Sequence, residues 1–297
     1  MTEQSPGVVS FSGPTLFPAR SLPAYRDAVT ADHRSSAHSA SSVPAHVAEN
    51  RRHWDAMAAE WVATGERAWN QDRPTWGIWG VGNDVAPLLP DDLTGLDAIE
   101  LGCGTGYVSS WMRRRGARVV AIDNSERQLA TARRLAAEHG VDDIEWIHGN
   151  AERVDRPDAS FDLAISEYGA AIWCDPHVWI PEAHRLLRPG GRLAFYGNHP
   201  LAMICTPADG STTGYTLERD YFGLGRLDWT GVAVDPGGIE FNLPVSGWMA
   251  LFREVGFHVD QYVEVQAPAD AAGTAFFVTA EWARRFPAEQ AWLLTKR

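Results

Sequence analysis

The chain has 297 residues, of which 45% are hydrophobic, and its formal net charge is −12. This length and apolar content can bury the core of one large domain, or of one domain with extensions. The negative charge disfavours a nucleic-acid partner, because an acidic surface repels the phosphate backbone. The best candidate for a local basic patch is Arg113 to Arg115, which we interpret as the solvated end of a helix.

The cysteines and the first residues indicate where the protein works. Cys103, Cys174 and Cys205 show no metal or redox spacing, and three thiols cannot pair fully, which is typical of a reducing compartment. The N-terminal residues lack the basic start and apolar run of a secretory signal. No stretch reaches the roughly 18 apolar residues of a membrane span. We therefore expect a soluble, cytoplasmic protein without a membrane partner.

Residues 1–46 differ in composition from the rest of the chain. They are rich in Ser, Ala, Pro and His and have no sustained hydrophobic period, so we expect a disordered or loosely docked tail. Isolated apolar residues in this tail leave open that it docks on the body or on a partner subunit. The sequence does not decide the oligomeric state, and a homodimer is one alternative.

Helical and extended patterns alternate from residue 47 onward. Apolar residues at helical spacing, including Trp54 and Trp61, predict a helix that ends near Trp69. A loop rich in Pro and Gly and a short helix before Pro90 should follow. Five strands come next, with the sequences LDAIELG, ARVVAID, DIEWIHG, FDLAISE and RLAFYGN, and helices are predicted after the first, second and fourth of them. This order predicts one α/β domain over residues 47–297, with a mostly parallel sheet covered by helices on both faces.

The alternation breaks after Pro200. Residues 201–243 have no clear period, and we expect an insertion that covers the substrate. Its aromatic side chains suit either an apolar pocket or a satellite core beneath a long loop. They are Tyr215, Tyr221, Phe222 and Trp229. A helix, a strand, a short helix and a final strand complete the chain.

The most informative segment is a glycine-rich turn, IELGCGTG, that directly follows the first of these strands. Glycine permits the tight turn and lets a ligand approach the backbone, so we expect a ligand at the carboxyl ends of the strands. The second strand ends in Asp123, 21 residues after Gly102, where a carboxylate can accept hydrogen bonds from both ribose hydroxyls. Helix capping is the alternative role for Asp123, because the sequence SER follows it.

Several motifs together identify a resemblance. The spacing GxGxG differs from the GxGxxG of dinucleotide-binding enzymes, which disfavours an NAD-dependent enzyme. ELGCGTG followed by AIDNS resembles the cofactor loop and acidic second strand of class I S-adenosylmethionine (SAM) dependent methyltransferases. GNAERV, FDLAISE and LLRPGGRLAF match later landmarks of that family in order and spacing. The resemblance covers about residues 47–297 and points to the bacterial small-molecule branch.

The resemblance implies a Rossmann-like, seven-stranded, mostly parallel sheet whose last strand, near residues 291–296, inserts antiparallel beside the fifth. It also implies roles for single residues. Gly102, Gly104 and Gly106, with Cys103 between them, should shape the loop around the methionine part of SAM. Glu100 should meet the SAM amino group, directly or through water, and a buried carboxylate there needs a partner.

The same resemblance implies which residues contact the adenosine part of the cofactor. Asp123 should hold the ribose, and Asn124 should flank the adenine. Asn150, Ala151 and Glu152 should contact the adenine amino group and ring. Glu152 has a helix cap as its alternative role.

Three residues are implied at the other end of the cofactor. Glu167 and Tyr168 should lie beside the transferring methyl group, which makes them candidate catalytic residues. Trp61 should lie over the cofactor, with packing in the core as its alternative role.

His199 is the first candidate for a general base. It follows the fifth strand in the sequence NHP and should face the cleft, and an imidazole that titrates near neutral pH suits proton removal. Its alternatives are to fix the turn before Pro200 or to contact substrate without proton transfer. Asp175 and His177 are weaker candidates, because DPHVW also predicts an ordinary helix start. No metal-binding spacing occurs in the sequence, so no metal is expected.

These features predict methyl transfer from SAM to an oxygen, nitrogen or carbon atom of a small organic molecule. The 13 tryptophans favour a bulky or planar substrate. Two alternatives stay open, because fold alone does not decide function. One is a SAM-binding enzyme that catalyses a step other than methyl transfer, such as cyclisation, and the other is a non-catalytic SAM-binding regulator.

Overall fold

The computed structural model describes residues 43–232 and 237–297. The predicted tail, residues 1–46, lies outside the described part except for its last four residues. Of these, Ala45 and His46 already belong to the first helix. The extent of the tail and the domain boundary near residue 47 stay predictions.

Helices and strands alternate along the described chain. The helices are α1 (Ala45–Trp69), α2 (Tyr107–Arg114), α3 (Glu126–Glu138), α4 (Ala170–Trp173), α5 (Pro176–Leu186), α6 (Pro200–Cys205), α7 (Val245–Val255) and α8 (Ala280–Ala283). The strands are β1 (Thr75–Trp76), β2 (Val81–Gly82), β3 (Asp97–Leu101), β4 (Arg118–Asp123), β5 (Ile144–His148), β6 (Phe161–Glu167), β7 (Leu187–Asn198), β8 (Arg226–Asp228), β9 (Ile239–Phe241), β10 (Phe257–Val265), β11 (Thr274–Ala275), β12 (Val278–Thr279) and β13 (Glu289–Lys296).

Seven strands form the central sheet, in the order β10-β13-β7-β6-β3-β4-β5. The strands from β7 to β5 in that order are parallel, and β13 lies antiparallel between β7 and β10. This confirms the predicted seven-stranded, mostly parallel sheet and its antiparallel last strand beside the fifth. The register pairs Glu289 at the start of β13 with Asn198 at the end of β7, so both residues lie at the carboxyl edge of the parallel strands.

The two faces of the sheet are covered by separate hydrophobic clusters. One face packs against α2 and α3, with Trp69 and Trp111 almost fully buried, and the other packs against α5 and α7, with Trp179 and Trp248. Because apolar side chains cover both faces, strands such as β6 are buried along nearly their whole length. The strand ends that carry the glycine turn are thus packed from both sides.

The segment between α1 and β3 differs from its predicted structure. The short helix expected before Pro90 is wrong, because residues 83–89 form turns instead. The amide of Asn83 donates to the Leu89 carbonyl (2.7 Å) and accepts from the Leu89 N–H (3.1 Å). A side chain that binds both backbone groups of one residue replaces the hydrogen bonds of a helical turn. The preceding loop contains the small antiparallel hairpin of β1 and β2.

Candidate active site

A cleft opens at the carboxyl ends of β3, β4 and β6. Most of the residues predicted for the site line this cleft. They are Trp61, Gly102, Cys103, Gly104, Asp123, Asn124, Asn150, Ala151, Glu167 and Tyr168. The parallel arrangement brings them together, since the turns after neighbouring parallel strands meet at one edge of the sheet.

The glycine turn needs glycine for two different reasons. Gly102 has φ +81°, and a Cβ there would lie 2.7 Å from the Ala170 backbone nitrogen, so the turn packs directly against the start of α4. Gly104 has φ +51°, and a Cβ there would point into open space. The backbone at Gly104 is therefore left uncovered, as close approach of a ligand requires.

Asp123 is tied to this turn at the end of β4. Its Oδ2 accepts a hydrogen bond from the Gly104 N–H (2.7 Å), and its Oδ1 accepts one from the Ser125 N–H (2.8 Å). Burial raises the pKa of the Asp123 carboxyl, while these two backbone hydrogen bonds lower it. Each carboxylate oxygen keeps a further lone pair. The arrangement fits a group that donates two hydroxyl hydrogens, as a ribose does.

Asn124 and Asn150 line the cleft beside Asp123. The Asn124 amide donates to the Val47 carbonyl (2.7 Å) and accepts from Arg51 Nε (3.0 Å), so α1 fixes its orientation. The side-chain oxygen of Asn150, Oδ1, accepts a hydrogen bond from the Glu152 N–H (3.0 Å), which shapes the turn after β5.

Glu152 lies behind this part of the cleft and not among the residues that line it. Its Oε1 lies 2.7 Å from His46 Nε2 and accepts the N–H of Asp175 (2.8 Å). These contacts join α1 to the start of α5, which corresponds to the structural alternative for Glu152. Asp175 in turn caps α5 by accepting the His177 N–H (2.9 Å), so both weaker base candidates belong to a helix start.

Glu100 and Gly106 also lie outside the cleft lining. Glu100 is buried, accepts a hydrogen bond from the Ser109 hydroxyl, and has a carboxyl pKa that burial raises well above its ordinary value. Gly106 caps α2, and a Cβ there would lie 2.5 Å from the Trp146 ring on the far side of the turn. Their implied contacts with SAM stay predictions.

Glu167 ends β6 at the opposite side of the glycine turn from Asn150. The Tyr107 hydroxyl donates to its Oε2, and the Gly77 N–H donates to its Oε1 (2.9 Å). Burial raises the pKa of the Glu167 carboxyl, and both hydrogen bonds lower it. The contact with Gly77 brings the β1–β2 hairpin to the cleft, which the sequence pattern did not predict.

Tyr168 adopts an unusual backbone conformation, with φ +49°. Its hydroxyl lies 2.8 Å from Glu289 Oε1 and 3.0 Å from Asn198 Oδ1. A non-glycine residue in this region is strained, and such strain is concentrated at functional sites. The strain here directs a side chain of the cleft toward a buried carboxyl.

Glu289 is fully buried and accepts a second hydrogen bond from the Ile78 N–H (2.8 Å). Burial raises the pKa of the Glu289 carboxyl to about 8, against the lowering effect of the hydrogen bonds from Ile78 and Tyr168. Glu289, Tyr107 and the hairpin were not predicted from the sequence. A carboxylate shortly before the apolar run of residues 291–294 is the signal that could have found Glu289.

Three tryptophans form an aromatic wall of the cleft: Trp54, Trp61 and Trp173. Val47, Asn50, Trp54 and Trp61 of α1 line the cleft together, because their spacing of three, four and seven residues places them on one helical face. Other rings from the predicted set, such as Trp179 and Trp248, are buried in the core away from the cleft. Some of the tryptophans therefore line the cleft, and others fill the hydrophobic core.

The aromatic residues of the 201–243 insertion lie elsewhere. Tyr221 and Trp229 pack against a third hydrophobic cluster formed around α6 and α8, whereas Tyr215 and Phe222 are exposed. Tyr221 and Trp229 therefore match the predicted alternative of a satellite core beneath a long loop. The insertion reaches the cleft region through β9, where Asn50 of α1 binds the Ile239 backbone at both its N–H (2.7 Å) and its carbonyl (2.9 Å).

His199 does not line the cleft. Its Nδ1 accepts the Leu201 N–H (3.0 Å) and caps α6, and its Nε2 lies 3.2 Å from Glu264 Oε1. Burial lowers the pKa of the imidazole to about 4, although Glu264 opposes the shift. The geometry matches the alternative in which His199 fixes the turn before Pro200, and the base role stays a prediction.

Two further features bear on the kind of site. Across the described residues, no cluster of three or more His, Cys, Asp or Glu side chains is arranged to hold a metal ion. In the same part of the chain, no helix combines the length and the apolar character needed to cross a membrane.

The chain is similar to known proteins in both sequence and fold. Residues 99–195, which carry the glycine turn, Asp123, Asn150 and Glu167, match the family model described as "Methyltransferase domain". A solved structure of an S-adenosylmethionine dependent methyltransferase from Mesorhizobium loti is 25% identical, has a TM-score of 0.59, and covers 74% of this chain and 100% of that one. Residues 99–195 thus form a methyltransferase domain, set in the fold of the SAM-dependent methyltransferases. The predicted family, fold and family cofactor are thereby confirmed.

Curated relatives match this chain over a shorter length. A malonyl-[acyl-carrier protein] O-methyltransferase from Pectobacterium atrosepticum is 35% identical over 132 residues, 44% of this chain and 46% of that protein. A ubiquinone biosynthesis O-methyltransferase from Maricaulis maris is 31% identical over 124 residues, 41% of this chain and 44% of that protein. The chain thus spans about half the length of these relatives.

Proposed function

We propose that this methyltransferase binds SAM and transfers its methyl group to a small organic molecule. The observation that carries the proposal is the hydrogen bond between the Gly104 N–H and Asp123 (2.7 Å), which joins the uncovered glycine turn to the ribose-binding carboxylate in one cleft. Glu167 and Tyr168 line the same cleft on the side where the acceptor would meet the methyl group.

The chemistry asks the protein mainly for alignment. SAM supplies a methyl group made electrophilic by its sulfonium sulfur, and transfer is a single in-line displacement, so positioning the acceptor can supply much of the rate. The hydrogen bonds that Tyr107 and Gly77 donate to Glu167 hold that carboxyl in one orientation. The side chain of Tyr168 is held by Glu289 and Asn198. Both side chains are therefore preorganised to contact an acceptor.

The lining of the cleft favours a bulky or aromatic acceptor that is not an anion. Trp54, Trp61 and Trp173 offer flat apolar surface, which suits planar molecules. Among the described residues that line the cleft, none is Lys or Arg, while Asp123 and Glu167 are acidic. An anionic acceptor would therefore lack a cationic partner. The relatives named above are O-methyltransferases, so oxygen is the first acceptor atom to test.

The cysteines and the net charge bear on the compartment and the partners of the enzyme. Its three cysteines carry free thiols, which is in keeping with a cytoplasmic protein. The acidic net charge of −12 continues to disfavour nucleic acid as a partner. Assembly as a homodimer stays a prediction.

Calorimetric titration with SAM and, separately, S-adenosylhomocysteine tests the proposal. We expect saturable binding of both by the purified full chain. Incubation with SAM and a panel of hydroxylated and amino-substituted aromatic compounds should then release S-adenosylhomocysteine, which cyclisation or a regulatory role would not. Folded protein that binds neither compound would overturn the proposal.

A further inference from the structure

A second aromatic side chain meets the aromatic wall at its outer end. The ring of Phe276 stacks on the ring of Trp61, with centroids 5.9 Å apart and planes only 9° from parallel. Phe276 lies at the tip of the small hairpin formed by β11 and β12, far along the chain from α1. Trp61 itself lines the cleft, so the stacked pair stands at the edge of the cleft.

The backbone at Phe276 is poorly suited to this residue. Its φ is +51°, and it occupies the first position of a two-residue turn between Ala275 and Val278, which pair across the hairpin. Two-residue hairpin turns of this kind favour glycine at the position with positive φ. A phenylalanine there is strained, and local strain of this kind persists where function requires it.

The side chain does not stabilise the core in return. Phe276 is 58% exposed, whereas its neighbour Val278 is fully buried in the third hydrophobic cluster. The hairpin is thus anchored by other residues, and the Phe276 ring is available at the surface. Neither turn chemistry nor core packing accounts for an aromatic residue at this position.

Trp61, by contrast, is held in place from the inside. Its ring meets Trp54 edge-on, with centroids 5.5 Å apart and planes at 64°, and Trp54 meets Trp173 edge-on at 5.1 Å and 82°. Edge-to-face contacts fix the direction of each ring. Trp61 therefore presents a fixed flat face toward the ring of Phe276 at the tip of the hairpin, with the cleft beside them.

We propose that Trp61 and Phe276 form a subsite that clasps a planar aromatic ring of the acceptor, with the ring stacked between them. Two stacking distances of about 3.5 Å each require ring planes about 7 Å apart, so the hairpin tip moves outward as the ligand enters. Because the two rings are already parallel, this displacement needs no reorientation of Trp61. The inference rests on the proposed function, since it names the class of acceptor for the same cleft.

The test compares two probes of one skeleton and different shape, 2-naphthol and its saturated analogue decahydro-2-naphthol. Each is titrated calorimetrically into the full chain, with and without saturating S-adenosylhomocysteine. Burial of apolar area alone would favour the saturated probe or treat both alike, whereas stacking favours the planar one. We expect 2-naphthol to bind at least about tenfold more tightly, as stacking on aromatic side chains supplies.

Variants locate the binding. Phe276→Leu keeps an apolar side chain but removes the ring, and it should weaken 2-naphthol binding about tenfold without changing S-adenosylhomocysteine affinity. Phe276→Gly should show the same loss together with higher thermal stability, because it relieves the strain at φ +51°. Phe222→Leu, which changes a ring that is 84% exposed and does not line the cleft, is the matched control and should have no effect.

The outcomes separate this inference from the proposed function. Equal affinity for the two probes, or 2-naphthol binding that Phe276→Leu leaves intact, would refute the subsite even if S-adenosylhomocysteine binds. If Trp61→Leu weakens S-adenosylhomocysteine binding and not 2-naphthol binding, Trp61 serves the cofactor and the inference fails. Failure of S-adenosylhomocysteine to bind defeats the proposed function, and the titration without it still decides the subsite.

Discussion

The hydroxyl of Tyr168 donates a hydrogen bond to the buried carboxyl of Glu289 across 2.8 Å, although the two residues are 121 positions apart. The contact joins the turn after β6 to the first residue of β13. Because the Ile78 N–H donates to the same oxygen of Glu289, the β1–β2 hairpin meets the other two segments at this single group. The side of the cleft that carries Tyr168 therefore depends on one buried acid.

The first prediction concerns the pH dependence of stability at Glu289. Its carboxyl pKa is raised from 4.5 to about 8 in the folded protein, so the unfolded chain releases this proton at lower pH than the native one. The stabilising effect is complete below pH 4.5 and is lost as the pH rises toward 8, at up to about 1.4 kcal/mol per pH unit. Glu289→Gln keeps the acceptor for Ile78 and Tyr168 and removes the titration.

Urea unfolding of the wild-type chain and of Glu289→Gln at pH 5.5 and pH 8 measures the effect. We expect the wild-type chain to lose more free energy of unfolding over this interval than the variant does. Other buried carboxyls, such as Glu100 and Glu167, titrate in both proteins and cancel in the difference. Parallel pH dependences would show that Glu289 is ionised in the native state.

The second prediction compares two glycines of the β1–β2 hairpin that share a positive φ. In Gly77→Ala, the new Cβ would lie 2.0 Å from Glu289 Oε1 and 2.4 Å from the Tyr196 ring, so the hairpin must move away from both side chains. In Gly80→Ala, the Cβ at φ +60° meets nothing within 4 Å, and only the backbone strain of about 1 kcal/mol is expected. Thermal unfolding should rank Gly77→Ala far below Gly80→Ala, and similar losses would contradict the tight contact.

The third prediction tests the ribose-binding role of Asp123. Asp123→Ala removes the acceptors for the Gly104 and Ser125 amides as well as those offered to the ribose, so the glycine turn loosens. Hydrogen bonds to a charged group contribute about 1.5–3 kcal/mol each, which corresponds to a loss of at least about tenfold in SAM affinity. Asp123→Asn keeps one oxygen acceptor and should bind SAM with intermediate affinity. Calorimetry of the three proteins checks this order, and unchanged affinity in Asp123→Ala would remove the assignment.

The fourth prediction separates the two roles of His199. His199→Ala should lower the free energy of unfolding by about 1 kcal/mol, because the cap on the Leu201 N–H is lost. His199→Asn offers a side-chain oxygen to the same N–H and should restore most of that stability. Methyl-transfer rates measured for both variants should then follow their stability. A variant with Asn that is fully stable but inactive would instead support a base role for His199.

Local pattern carried most of the prediction of the sheet. Buried strands alternating with helices, the glycine turn and the acid at the end of β4 are short-range features, and the backbone geometry confirms them at Gly102 and Asp123. The helix expected before Pro90 failed because the side chain of Asn83 captures the backbone of Leu89, which no hydrophobic period reveals. Similarly, the sequence offers His199 as a base, and only the structure shows that its Nδ1 caps the Leu201 N–H and that burial lowers the pKa of its imidazole.

The sequence by itself determined the family resemblance, the succession of strands and the glycine turn with Asp123 beside it, because each rests on residues that are close along the chain. Only the tertiary structure decided which side chains meet around Glu167 and Tyr168. Tyr107 and Gly77 meet Glu167, Tyr168 meets Glu289, and Phe276 meets Trp61 across separations of tens to hundreds of residues. Such contacts depend on how the hairpins pack over the edge of the sheet, and local propensity carries no information about that packing.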